Sequence, residues 1–198
     1  MISERLGTWA REKMLVVGGF LGGLGITPNM LTIAGFLLNC IVAAIIASGR
    51  GQLGGVLLLF ASAFDMLDGA VARSTGKTSK FGGFFDSTVD RYSEIVVYVG
   101  LLWYILGTDD WKWGALLVLL SATGAVMVSY ARARAEAAGW KASVGILARP
   151  ERVVVLSIGL IIDRPMWALI ILAIATNLTA VMRMAHVWRE YRKELKGS

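Results

Sequence analysis

The chain has 198 residues, 56% of them hydrophobic, with a mean hydropathy of +0.64 and a formal net charge of +6. Such an apolar composition excludes an ordinary soluble domain and predicts an all-α integral membrane protein, with the positive charge serving a membrane surface and not nucleic acid. The single Cys40 sits in an apolar run, so no internal disulfide can form.

Residues 1–17 can form an amphipathic juxtamembrane helix. Ile2, Leu6, Trp9 and Leu15 share one face, with Glu4, Arg5, Arg11, Glu12 and Lys13 on the other, as suits a helix lying on the cytoplasmic surface. "MISERLGTWAREK" carries charges of both signs with no short apolar core after it, so no removable signal peptide is expected. A hydrocarbon core of about 30 Å needs roughly 20 helical residues. On that measure residues 18–198 form one domain of six transmembrane helices, at 29–48, 52–74, 81–106, 112–137, 150–163 and 165–188. Thr27 can cap the first and Pro28 can open it, and the glycines of "SGRGQ" close it. "STGKTSK" and "GTDDWK" make the next two cytoplasmic and far-side turns. The fifth segment, "PERVVVLSIGLIID", is short for a crossing, so its polar end is expected to start deep or line a cavity; Pro165 opens the sixth.

With a cytoplasmic N-terminus, 17 of the 20 Lys and Arg residues fall on the cytoplasmic side, leaving only Arg50, Lys112 and Arg164 opposite. The positive-inside bias therefore places both termini in the cytoplasm. Trp111, Trp113 and Trp167 on the far side and Trp9, Trp140 and Trp188 on the near side fit interfacial anchors, and His186 fits the same belt.

Four aspartates interrupt this apolar pattern in "DMLDGAVARSTGKTSKFGGFFDSTVD". Asp65 and Asp68 are three apart and Asp86 and Asp90 four apart, so each pair shares a face of its own helix. Counted from the intervening turn, Asp68 and Asp86 form a layer roughly 8 Å deep and Asp65 and Asp90 one roughly 14 Å deep. Four carboxylates at that depth need a cationic partner. Small Gly69, Ala70, Ala72, Gly82 and Gly83 leave space beside them, and a purely oxygen donor set without His or Cys points to Mg²⁺ or Mn²⁺ with a phosphate-bearing ligand.

Asp65, Asp68, Gly69, Ala72, Arg73, Gly82, Asp86 and Asp90 match at every position and gap the signature DxxDGxxARx₈GxxxDxxxD, and through it the chain resembles the CDP-alcohol phosphotransferase family. The resemblance implies transfer of a phosphatidyl group from a CDP-linked lipid such as CDP-diacylglycerol to an alcohol, with release of CMP. It implies two metal ions held by Asp65, Asp68, Asp86 and Asp90, and Asp90 as general base. It also implies cytidine space at Gly69, Ala72 and Gly82, a phosphate contact at Arg73, a homodimer, and a prokaryotic cell membrane with the active site facing the cytoplasm.

A second polar constellation lies in "SYARARAEAAGWKASVGILARPERVVV". Arg132 and Arg152 stand next to apolar helical sequence and can point inward, where converging arginines bind phosphate. These stretches are similar to those of prokaryotic phosphatidylinositol phosphate synthases and their archaeal archaetidylinositol phosphate relatives. That similarity implies inositol 1-phosphate as acceptor, held by Arg132, Arg152 and Arg183, although the family often has Lys at the first of these positions. Glycerol 3-phosphate, giving phosphatidylglycerophosphate, is the alternative acceptor. From another class, a cation transporter also carries intramembrane aspartates, but it predicts acids spread along a path and inverted repeats, neither of which the sequence shows.

Overall fold

A computed structural model describes residues 16–197, all of whose regular structure is helical. A helical stretch at 16–23 precedes α1 (Pro28–Ala47), α2 (Gly51–Ser74), α3 (Lys80–Ile105), α4 (Trp111–Ala137), α5 (Arg149–Ile161) and α6 (Pro165–Gly197). The predicted surface helix over 1–17 lies outside the described residues except at Val16 and Val17, which are helical and exposed.

The helix ends follow local chemistry. Thr27 Oγ1 accepts the Met30 N–H at 3.3 Å ahead of Pro28, and Ser79 Oγ accepts the Gly82 N–H at 2.9 Å at the start of α3. Gly49 at φ +83° closes α1 and Gly76 at φ +66° turns the chain between α2 and α3, a region costly to residues with a Cβ. Asp163 adopts φ +56° in the tight link between α5 and α6, where the Arg164 N–H returns to Gly159 O at 2.7 Å.

Among the described residues, four helices, α1, α2, α4 and α6, are long and apolar enough to cross a bilayer. The other two fall short for separate reasons. α3 carries Asp86, Asp90, Arg91 and Glu94, which lower its hydropathy, whereas α5 has 13 residues and so spans only about 20 Å. Only 33–39% of the residues in each apolar span are buried, and the outward positions are hydrophobic: Phe60 is 69% exposed and Ile174 65%. An apolar exterior of this extent belongs in lipid.

The chain divides into two compact units. One comprises the described residues up to Val42 with Leu57–Val97. Leu31, Leu58, Ala61, Ala70, Val71 and Val97 are buried in it, and the 16–23 stretch comes so close to α2 that a Cβ at Gly18 would lie 2.7 Å from the Ala70 backbone. The other unit comprises Ala43–Val56 and Tyr98 onward. There α6 packs on both α4 and α5. Ser121 Oγ donates to Leu169 O at 3.2 Å and Asn177 Nδ2 to Leu120 O at 3.0 Å, polar ties between α4 and α6 of the kind that replace hydrophobic drive inside a membrane. A side chain at Gly124 would overlap Thr176, and one at Gly159 would overlap Ala168. Gly159→Leu is therefore expected to separate α5 from α6 and to lower the melting temperature in detergent by several degrees, since overpacking costs about 1–3 kcal/mol.

Candidate active site

In the first unit, a cavity of about 410 Å³ is lined by Asp68, Gly69, Ala72 and Arg73 of α2 and by Gly82 and Asp86 of α3. Six of the eight signature positions therefore share one wall. Asp65 and Asp90 are half-buried and do not line it; they lie about one turn farther along their helices. Among the described residues, no three His, Cys, Asp or Glu side chains gather closely enough to form a ready ion cage.

Asp68 is held in place. It is 8% exposed, its Oδ2 accepts the Thr32 hydroxyl at 2.9 Å, and its Oδ1 accepts the Gly69 N–H. Each carboxylate oxygen has two lone pairs, so both keep acceptor capacity. Asp65 Oδ1 lies against Gly35, where a methyl group would overlap it. Asp90 has Arg91 Nη2 at 3.4 Å, a long contact between sequence neighbours. Gly69 lies under the Arg73 guanidinium, whose Nη1 would be 3.1 Å from a Cβ there. At Gly82 a Cβ would approach Ser79 Oγ to 3.1 Å, and at Gly83 it would meet nothing within 4 Å, so the α3 wall carries no side chain at these two positions.

Sequence reasoning assigned no role to Thr32, Asn29, Lys77, Thr78 and Ser79, all of which line this cavity together with Thr27. The turn between the two aspartate pairs was a signal for the last three, because it must stand at the cavity mouth. Nothing in the spacing pointed to Thr32, which reaches Asp68 across 36 residues.

The second unit holds the predicted arginines. Arg152, 2% exposed in the first turn of α5, donates through Nη1 to Leu147 O at 3.4 Å. Arg183, 5% exposed on α6, donates through Nη1 to Val128 O at 2.7 Å and through Nε to Val144 O at 3.0 Å. Arg132 is exposed on α4, and its Nε pairs with Glu136 at 2.8 Å. The charges of Arg132 and Arg152 both bear on Arg183, with Glu136 opposing them, so the three guanidinium groups form one positive locality.

The connection from α4 to α5 is tied to α6 at the same place. Thr179 Oγ1 accepts the N–H groups of Ile146 and Leu147 at 3.2 and 3.3 Å, and Gly145 at φ +137° leaves room for the Thr179 methyl. Thr179→Val is expected to keep the packing and lose both bonds. An unpaired buried donor costs about 1–3 kcal/mol, so the variant should melt several degrees lower in detergent, as a thermal unfolding assay would show.

Comparison with known proteins adds to this geometry. A family model described as CDP-alcohol phosphatidyltransferase matches residues 25–188. The archaetidylinositol phosphate synthase of Pyrococcus horikoshii is 38% identical over 175 residues, covering 88% of this chain and 90% of that one. The phosphatidylinositol phosphate synthase of Mycobacterium tuberculosis is 34% identical over 194 residues, covering 91% and 87%. A crystal structure of the M. tuberculosis synthase with CDP-DAG bound superposes with a TM-score of 0.83 at 31% identity, covering 88% of this chain and 93% of that one. Another, in complex with manganese and citrate, gives 0.83 at 31%, covering 88% of each chain.

Proposed function

The chain belongs to the CDP-alcohol phosphatidyltransferase family, and we propose that this enzyme transfers the phosphatidyl group of a CDP-linked lipid to inositol 1-phosphate, releasing CMP and forming phosphatidylinositol phosphate. The observation that carries the proposal is the single cavity lined by Asp68, Gly69, Ala72, Arg73, Gly82 and Asp86. Family membership also sets aside the transporter alternative.

In the proposed reaction an acceptor hydroxyl oxygen attacks the lipid-bearing phosphorus. The bond from that phosphorus to the CMP oxygen breaks, CMP leaves, and the hydroxyl proton passes to Asp90. Arg73 and Lys77 supply positive charge for the phosphates, while Asn29, Thr78 and Ser79 offer hydrogen bonds to the nucleotide. Gly82 and Gly83 keep their wall bare so that the nucleotide can approach the backbone. The donor set fits Mg²⁺ or Mn²⁺, because it is all oxygen and Asp68 is oriented with lone pairs to spare; Asp65, Asp68, Asp86 and Asp90 would hold two ions. When bound, the ions offset the charge on the pyrophosphate and on the departing phosphate.

Arg132, Arg152 and Arg183 are proposed to hold the acceptor's phosphate. Their support is the shared positive locality and the two inositol-phosphate-lipid synthases at 34–38% identity. We further propose that all six helices enter the membrane, that 1–17 lies on its cytoplasmic surface, that the active site faces the cytoplasm and that the enzyme is a homodimer. The test is CMP release by purified protein in detergent, with CDP-diacylglycerol and Mg²⁺. Inositol 1-phosphate should support release that a chelator abolishes, whereas free inositol and serine should not. Release with glycerol 3-phosphate alone would keep the chemistry and replace the acceptor.

A further inference from the structure

A groove of about 570 Å³ runs between the C-terminal part of α4 and the facing part of α6, and none of its residues lines the aspartate cavity. Met127, Ala131, Ala135 and Val187 form its more buried wall, and the exposed Tyr130, Trp188 and Tyr191 edge it. Both helices are among the four apolar enough to cross a bilayer, and the groove follows the last part of the α4 span, from Met127, and continues past its end to Trp140. This places it where acyl chain gives way to head group.

The charged side chains that line it, Arg134 and Arg183, are both basic. Arg134 lines the groove and has no ion pair or side-chain hydrogen bond among the described residues. Arg192 lies 4.8 Å from the centre of the Trp188 ring, a cation held at the edge. The nearby acids are engaged elsewhere: Glu136 by Arg132 at 2.8 Å, Glu190 by Lys193 at 2.6 Å, and Glu194 by the Trp140 indole N–H at 2.8 Å. Trp140 in turn meets the Tyr191 ring edge-on at 6.1 Å, which fixes the aromatic rim. An apolar channel with an aromatic rim and an uncompensated guanidinium complements a molecule with a long apolar chain and an anionic head.

We propose that this groove binds one anionic glycerophospholipid of the surrounding leaflet, its acyl chain along Ala131 and Val187 and its phosphate on Arg134. The lipid is separate from the donor, whose proposed contacts lie on α1, α2, α3 and the turn before α3. Arg183 also lines the groove, but it is assigned to the acceptor's phosphate, which leaves Arg134 as the head-group residue.

The test uses the purified full chain in detergent, incubated with palmitoyl-oleoyl phosphatidylglycerol or phosphatidylcholine, with bound lipid counted by native mass spectrometry. The wild type should retain one phosphatidylglycerol per chain under conditions that strip phosphatidylcholine. Arg134→Gln should weaken that retention about fivefold, whereas Arg189→Gln, outside the groove lining, should leave it unchanged. Ala131→Trp fills the channel without touching the charge and should abolish retention. Equal retention of the two lipids by the wild type would overturn the proposal. So would retention that survives both Arg134→Gln and Ala131→Trp, or an Ala131→Trp variant that keeps its lipid but loses a dimer, which would make the groove a contact between copies.

Discussion

Asp90→Asn is expected to lower kcat by about 10²- to 10⁴-fold, the range a positioned general base contributes, while CDP-diacylglycerol binding stays close to that of the wild type. The amide has the carboxylate's shape but cannot take the hydroxyl proton. Asp90 does not line the cavity that Asp68 and Asp86 share, so its replacement leaves the walls proposed for the donor intact. Arg91, whose Nη2 lies 3.4 Å from Asp90, is a neighbour in sequence and stays in place on the same helix turn. Single-turnover CMP release and donor binding by calorimetry separate the two roles. A variant with near-normal turnover would remove Asp90 as the base, and one that loses donor binding and turnover together would make it chiefly a ligand for the metal. Asp68→Asn provides the contrast: its oxygens are buried, hydrogen-bonded to Thr32 and Gly69, and open to the cavity, so binding, metal dependence and turnover should fall in parallel.

The helices were legible because membrane spans combine long apolar runs with sharp punctuation. The structure starts α1 at Pro28, α4 at Trp111 and α6 at Pro165, each within one residue of its expected position. α6 runs on to Gly197, past the expected end at residue 188, because beyond the apolar run its charged tail still favours helix, as the Lys193–Glu190 pair at 2.6 Å shows. The aspartate pattern was legible for a related reason: spacings of three and four residues on a helix fix a shared face before any tertiary contact forms. What stayed hidden were contacts across distant sequence. Thr32 reaches Asp68, Thr179 holds the backbone of Ile146 and Leu147, and Arg183 holds Val128 and Val144. Each joins a side chain to a group 32 or more residues away, so no local periodicity reports it. Arg183 shows the limit most clearly, since its positive charge was readable while the backbone carbonyls that orient it were not.

Arg152→Gln is expected to raise the KM for inositol 1-phosphate by about 10- to 100-fold, because hydrogen bonds to a charged partner are worth roughly 1.5–3 kcal/mol, and to leave the KM for the CDP-lipid nearly unchanged. Burial sets the size of this effect. At 2% exposure the guanidinium is shielded from water, so an arriving phosphate would gain far more from it than from a solvated arginine. Its bond to Leu147 O is long, at 3.4 Å, and glutamine retains a donor that can replace it. Arg152→Lys should recover part of the acceptor affinity by keeping the charge, but not all, because an ammonium group lacks the planar fork that grips two phosphate oxygens. Arg132→Ala should cost less, since that side chain is exposed and its Nε is already paired with Glu136. The ordering is therefore Arg152 above Arg132 in acceptor KM, with the donor KM flat across both. Steady-state CMP release with each substrate varied in turn reads it out. A parallel rise in both KM values, together with a lower melting temperature, would instead assign Arg152 to holding the start of α5, because a framework residue disturbs both substrates whereas a phosphate ligand disturbs only the one that carries its phosphate to it.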